Sequence, residues 1–311
     1  MRGSGRISEK TRDKVLRAAK QVNYLKDTQA AAMRSGQFRE VGLLIHRIAN
    51  PFNAEVIAGV SERLESNGYL AFVLDMRDEA KRQRRYVETL LGSARGGLLW
   101  VPAQETEQST TDLILAQRIP TVTFLRPLPQ AHFDHVGIEN VAGTREATRH
   151  LQSLGHRNIA YLGGEGSNFV LQQRIEGYRS VMADAGMGPV TIYPCRETKE
   201  SGLQTVQQLV SEHPEVTAVV CNGDVVAMGA TLGLARIGKV PGKDLSIIGF
   251  DGTEEARLWL PKLSTMNVNA FGLGELLAQT LLDRINNPDA PIRSTNVSAH
   301  LLARETTGPV R

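Results

Sequence analysis

Few of the residues able to do chemistry in this chain have the spacing that a reaction needs. The run "GGEGSNF" (163–169) follows an apolar stretch, as a phosphate-cradling loop would. It lacks the last glycine of GxGxxG and carries no Gly-Lys-Ser/Thr, so a tight turn at the mouth of a cleft is the better reading. His132 and His135 lie three apart with no third ligand at a recognisable spacing, which argues against a metal site. No GxSxG elbow or HExxH helix occurs. Cys195 and Cys221 show no CxxC spacing and read as plain thiols. Nothing favours catalysis, and no cofactor is called for.

Recognition chemistry is better represented. His46 follows an apolar run, Phe52 opens the helix pattern after it, Trp100 ends another run, and Asp251 directly follows "LSIIGF". Arg174 sits on the helix pattern after the glycine turn. An arginine, an acid and apolar faces around one cleft suit a small polyol or sugar. Bidentate polar contacts fix hydroxyls, and an aromatic ring stacks on the apolar face of the sugar. Each residue also has a plainer reading: Trp100 as core, Arg174 as a surface ion pair, Asp251 as a cap.

These residues need a frame. From Val41 onward short apolar runs alternate with amphipathic stretches. "VGLLI" reads as a buried strand, then "NPFNAEVIAGVSERLESNGY" as a helix capped by Asn50, with Pro51 in its first turn and Gly68 at its end. "LAFVL", a charged helix over 79–91, "GGLLWV", another helix and "TVTFL" continue the series. It then restarts with "GTREATRHLQSLGH", "NIAYLGG", "VLQQRIEGYRSVMADAG", "VTIYP", "GLQTVQQLVSEH", "AVVC", "VVAMGATLGLARIG" and "LSIIGFD". Strand–helix–strand order of this kind predicts an α/β fold of two doubly wound parallel-sheet lobes, with a ligand between the strand C-termini. The tail, "FGLGELLAQTLLDRI" and "VSAHLLARETTG", adds a helix and a strand. It completes both sheets, so the chain crosses between lobes more than once.

Composition sets the bounds. The 311 residues are 41% hydrophobic and 22% charged, enough for two lobes with real cores. No apolar run reaches membrane-spanning length and no signal peptide opens the chain, which predicts a cytoplasmic protein without a membrane partner. The net charge of +3 hides an asymmetry. Residues 1–40 hold ten Lys/Arg against four acids, a net +6, and the remainder carries −3. A basic arm on a mildly acidic body points to a polyanion, first of all nucleic acid. The arm itself, "GRISEKTRDKVLRAAKQVNYL", is an amphipathic helix pattern with Ser8 as N-cap.

An ordered series of segments now resembles one family. It runs from "GRISEKTRDKVLRAAKQVNY" through "RSG", "VGLLIHRIANPF", "ENVAGTREATRHLQSLGHRNIAYLGG", "RIEGYR" and "AMGA" to "LSIIGFDGT", "PKLSTM" and "LLARETTG". The chain resembles the lac repressor/galactose repressor (LacI/GalR) transcription factors, most nearly their maltose-regulon type. The resemblance implies a periplasmic-binding-protein-like core of type I, preceded by a remnant of an α-helical helix-turn-helix domain. It implies a homodimer on operator DNA, and a small effector, a sugar or sugar derivative, that switches operator affinity. The expected domains are 1–38, the third DNA-domain helix and the hinge helix, and 39–311, the effector-binding part. Within the latter the N-lobe is about 39–138 plus 267–292, and the C-lobe about 139–266 plus 293–311.

Carried over position by position, the implied DNA contacts fall on Tyr24, Ala30, Met33 and Arg34. Met33 stands where the family places a leucine wedge. Lys26-Asp27 replaces the family's Pro-Asn, and Ala31 a usual basic residue. The implied effector contacts are His46, Phe52, Trp100, Arg174, Asn222, Asp224 and Asp251. Gly223 stands where the family commonly has the Asn of an Asn-Asp pair, with Asn222 one place early. The family's two helices before "GRIS" are absent from this sequence. The expectation is therefore a truncated start and weak, salt-sensitive DNA binding without sequence preference. A ligand-binding protein without DNA function is the alternative.

Overall fold

A computed structural model describes residues 8–24, 38–93, 96–128, 132–164, 168–186 and 190–310. The chain divides into two units, Met1–Arg39 and Glu40–Arg311. In the first, helix α1 (Glu9–Gln21) starts at Ser8, whose side chain accepts from the Thr11 amide. Val15 and Leu16 on it are exposed, as are Val22 and Tyr24 beyond it. The expected hinge helix, with Ala30, Met33 and Arg34, lies outside the described residues.

The second unit opens with β1 (Glu40–Ile45), α2 (Pro51–Ser66), β2 (Leu70–Asp75), α3 (Ala80–Gly92), β3 (Gly97–Trp100), α4 (Gln108–Ala116), β4 (Thr121–Phe124) and β5 (Asp134–Ile138). It continues with α5 (Asn140–Ser153), β6 (Ile159–Leu162), α6 (Phe169–Asp184), β7 (Thr191–Tyr193), α7 (Lys199–Glu212), β8 (Ala218–Cys221), α8 (Asp224–Arg236) and β9 (Ser246–Asp251). The last elements are α9 (Glu254–Leu258), β10 (Ser264–Asn267), α10 (Ala270–Asn286), β11 (Ser294–Val297) and β12 (His300–Leu302). Two six-stranded sheets result, in the orders β11-β5-β4-β3-β1-β2 and β12-β10-β9-β8-β6-β7. Every pair is parallel except β10 with β12. The central strands are buried apart from Glu40 at the start of β1, as expected when helices cover both faces.

The chain crosses between the sheets after Ile138, after Asn267 and again between Val297 and His300. The third crossing corrects the expected boundary near 292–293, and the one tail strand of the sequence reading is two. Asp134 explains the shift. Its carboxylate accepts from two Arg284 nitrogens, Nε at 2.8 Å and Nη2 at 2.9 Å, and from the Arg293 amide at 2.8 Å. That brace holds β11 beside β5, in register Ser294↔His135, before the chain leaves. Helix α10 belongs with the first sheet because Gly59 and Gly274 let it lie against α2. A Cβ at Gly59 would meet the Phe271 carbonyl oxygen at 2.0 Å, and one at Gly274 the Val56 carbonyl oxygen at 2.1 Å.

Candidate functional site

In a parallel doubly wound sheet the loops after the strands gather on one edge, and two such edges here face one cleft of about 680 Å³. The first lobe contributes the turn after β1 (His46, Arg47, Ala49, Asn50), Phe52 at the start of α2, the turn after β2 (Asp75, Arg77, Asp78), Gln104, and Leu125 and Arg126 after β4. The second contributes Gly164, Asn168, Val170 and Arg174, then Arg196, Glu197 and Thr198 after β7, then Asn222 and Asp251.

Arg174 is the fixed point of the second wall, only 6% exposed. It sits on α6, which Asn168 caps by accepting from the Leu171 amide at 2.9 Å. Its Nε donates to Asn140 Oδ1 at 2.9 Å, its Nη1 to the Asn222 carbonyl, and its Nη2 to Asp251 Oδ1 at 3.4 Å. The guanidinium lies over the Phe250 ring, 3.7 Å from its centre. A buried charge needs partners of this kind on every side. Asp251, also 6% exposed, has φ of +113°, a strained value for a residue with a Cβ. Burial pushes its carboxyl above the ordinary range, against the pull of Arg174. Asn222 is held by Tyr161, whose hydroxyl donates to its Oδ1 at 2.7 Å, and donates in turn to Glu197 Oε1.

The first wall is looser. Arg126 grips Asp78 with two nitrogens, at 2.5 and 3.0 Å, and this pair holds the Asp78 carboxyl below its ordinary range although burial works the other way. His46 is held down to about 4, first by burial and then by the Arg126 guanidinium, so it is neutral near pH 7. Its Nδ1 has no hydrogen-bond partner among the described residues. Among the described residues, Arg47 Nη1 donates across the cleft to the Glu197 carbonyl at 2.7 Å, and outside it the Glu254 amide donates to Glu55 Oε1 of the first lobe at 2.8 Å.

Of the sequence candidates, His46, Phe52, Arg174, Asn222 and Asp251 meet in the cleft. Trp100 and Asp224 do not. Trp100 is fully buried on the far side of β3, where its indole N–H donates to Gln83 Oε1 at 2.8 Å and its ring meets Phe133 edge-on at 6.3 Å. Its plainer reading as core holds. Asp224, fully buried at the start of α8, accepts from the Thr253 amide (2.8 Å), the Thr253 hydroxyl (3.1 Å) and the Thr265 hydroxyl (2.6 Å). Burial raises its carboxyl to about 6 against those bonds. It braces the turn after Asp251 from behind. His135 points to Thr123 Oγ1 at 3.0 Å while His132 is exposed, so the two do not face one site. Arg47, Asp78, Arg126 and Glu197 escaped the sequence reading, although each stands two to four residues beyond a strand end and that position alone would have flagged it.

Comparison with known proteins agrees with this geometry. The periplasmic binding protein-like domain family matches residues 148–307. The chain is 31% identical over 306 residues to the ribose operon repressor of Haemophilus influenzae, covering 98% of this chain and 92% of that protein. It belongs to the LacI family of transcriptional regulators. The maltose regulon regulatory protein MalI of Escherichia coli is 26% identical to this LacI-family chain over 312 residues, covering 97% of it and 91% of MalI. Among solved structures, a LacI-family regulator from Enterococcus faecium with bound ribose superposes with a TM-score of 0.81 at 25% identity, covering 88% of this chain and all of that one. Among the described residues no helix is long and apolar enough to cross a membrane.

Proposed function

We propose that this LacI-family chain binds a neutral sugar or sugar derivative in the cleft, and that occupancy changes the affinity of its dimer for operator DNA. The observation that carries the reading is the buried Arg174–Asp251 pair, whose polar atoms look into a cleft of about 680 Å³ between two lobes. Phe52 supplies an apolar surface beside it, and the ribose-bound relative supports the ligand class. The reading is of a cytoplasmic regulator and not an enzyme.

The switch follows from the two cross-lobe bonds. A sugar touching both walls binds one lobe arrangement better than the other and shifts the population by that difference in affinity. The +6 arm supports DNA as the partner that senses the shift. Leu258 and Leu260, 63% and 85% exposed, support pairing of two copies through the second lobe. Calorimetric titration with D-ribose, D-glucose, maltose and cellobiose tests the ligand. At least one should bind the wild type, and Arg174→Ala should lose it. Unchanged sugar affinity in that variant would place the site elsewhere. Anisotropy of labelled genomic DNA fragments with and without the binding sugar tests the switch, and equal DNA affinity in both would remove it.

A further inference from the structure

We propose that Glu197 and Asp251 form a two-carboxylate clamp for a pair of adjacent hydroxyls of the effector, and that Gly223 keeps the space between them open. The inference rests on the sugar reading of the cleft and adds a contact that fixes which sugars fit. Each carboxylate has one oxygen engaged: Asp251 Oδ1 with Arg174, Glu197 Oε1 with the Asn222 side chain. The other oxygen of each accepts from no donor among the described residues. Both free oxygens converge on one point. A Cβ built on Gly223 would lie 3.1 Å from Asp251 Oδ2 and 3.1 Å from Glu197 Oε2. Both residues line the cleft, and Asp251 is 94% buried by its 6% exposure, so its free oxygen points into a site and not into bulk water.

Gly223 is not there for its backbone freedom. Its φ of −158° is extended and open to any residue. What the missing side chain provides is room beside two acceptors. Two acceptors that each lie 3.1 Å from one point call for two donors, and neighbouring hydroxyls of a sugar supply them. An ammonium group would also donate. However, the lining already carries five arginines against four acids, so a further cation is disfavoured and a neutral diol fits. Donation to Asp251 Oδ2 also favours the ionised form of that carboxyl, offsetting the burial that raises it. The Glu197 carbonyl accepts from Arg47 of the opposite lobe, so a ligand on this residue reports directly on lobe closure.

The test uses the full chain and calorimetry. D-Ribose, D-glucose, maltose and cellobiose are titrated first, and each binder is then compared with its monodeoxy derivatives and, for glucose, with D-glucosamine. Loss of one clamped hydroxyl is expected to weaken binding by about 10- to 100-fold, as for a bond to a charged acceptor. Glu197→Gln should weaken binding of the parent sugar by a similar factor and narrow the gap between parent and deoxy sugar. Gly223→Ala, which fills the space while leaving both carboxylates, should weaken binding with the melting temperature retained. Sugar binding that ignores Glu197→Gln and Gly223→Ala, or tighter binding of glucosamine than glucose, would overturn the clamp and leave the sugar reading standing. No binding of any of these sugars to the wild type would overturn both.

Discussion

The two walls of the cleft are built to different standards. On the second lobe Arg174 and Asp251 are each 6% exposed; Asn140, Asn222 and the Phe250 ring fix Arg174, which in turn holds Asp251. On the first lobe the Arg126–Asp78 pair has side chains 11% and 32% exposed, and Arg47 is exposed. The buried wall is preorganised: its charges are already desolvated and oriented, so little is left to order when a ligand arrives. The open wall is screened by water and can adjust. The contrast assigns affinity to the second lobe, and adaptation and closure to the first.

The sharpest way to break this contrast is Arg174→Ala. It strips Asp251 of its counter-charge in a buried place, and truncation of such a pair costs about 2–5 kcal/mol in binding. Sugar affinity should fall at least about 30-fold, with a drop of several degrees in melting temperature. A loss of only a fewfold would put the second wall on a par with the first. Asp224→Ala comes next. It leaves the Thr253 and Thr265 donors without their acceptor behind Asp251, and should cost about 2–4 kcal/mol in urea unfolding.

A pH profile probes burial outside the cleft. Burial holds His135 at about 4, well below its ordinary 6.5. The unfolded chain takes up this proton as pH falls through 6.5, while the folded chain resists until about 4. This histidine therefore makes the fold lose about 2 kcal/mol between pH 7 and pH 5. Asp224, raised to about 6, acts in the opposite sense between 6 and 3.8, because the folded chain binds its proton first. His135→Asn should accordingly lose less stability on acidification than the wild type, and an identical profile would contradict the assignment. At the small end, Asp78→Asn should change sugar affinity by less than about tenfold, since the pair is partly solvated. Glu55→Ala, which frees the exposed Glu254 amide, should change stability by less than about 1 kcal/mol.

The alternation of apolar runs and capped helices made the two-lobed α/β fold legible before any coordinates. The tail was not, because which sheet "STNV" joins depends on the Asp134–Arg284 brace, a contact between residues 150 apart. Within the site, Arg174 and Asp251 stood out by type and position. Trp100 misled because β3 is buried on both faces, and in such a strand the sequence does not reveal which face points to the cleft edge. Asp224 misled because a helix-opening acid can face a ligand or brace a neighbouring loop, and only the placement of Thr253 and Thr265 decides. Glu197 belongs to no motif, and its significance comes from Gly223, 26 positions along the chain, leaving space beside it.

The most direct measurement is a crystal structure of the full chain grown with whichever sugar binds in calorimetry. Density is expected in the cleft, with hydroxyls on Arg174 and Asp251, an apolar face toward Phe52, and the opposite side of the ring toward Arg126 and Asp78. A sugar bound without contact to Arg174 or Asp251, or lodged outside the cleft, would contradict it.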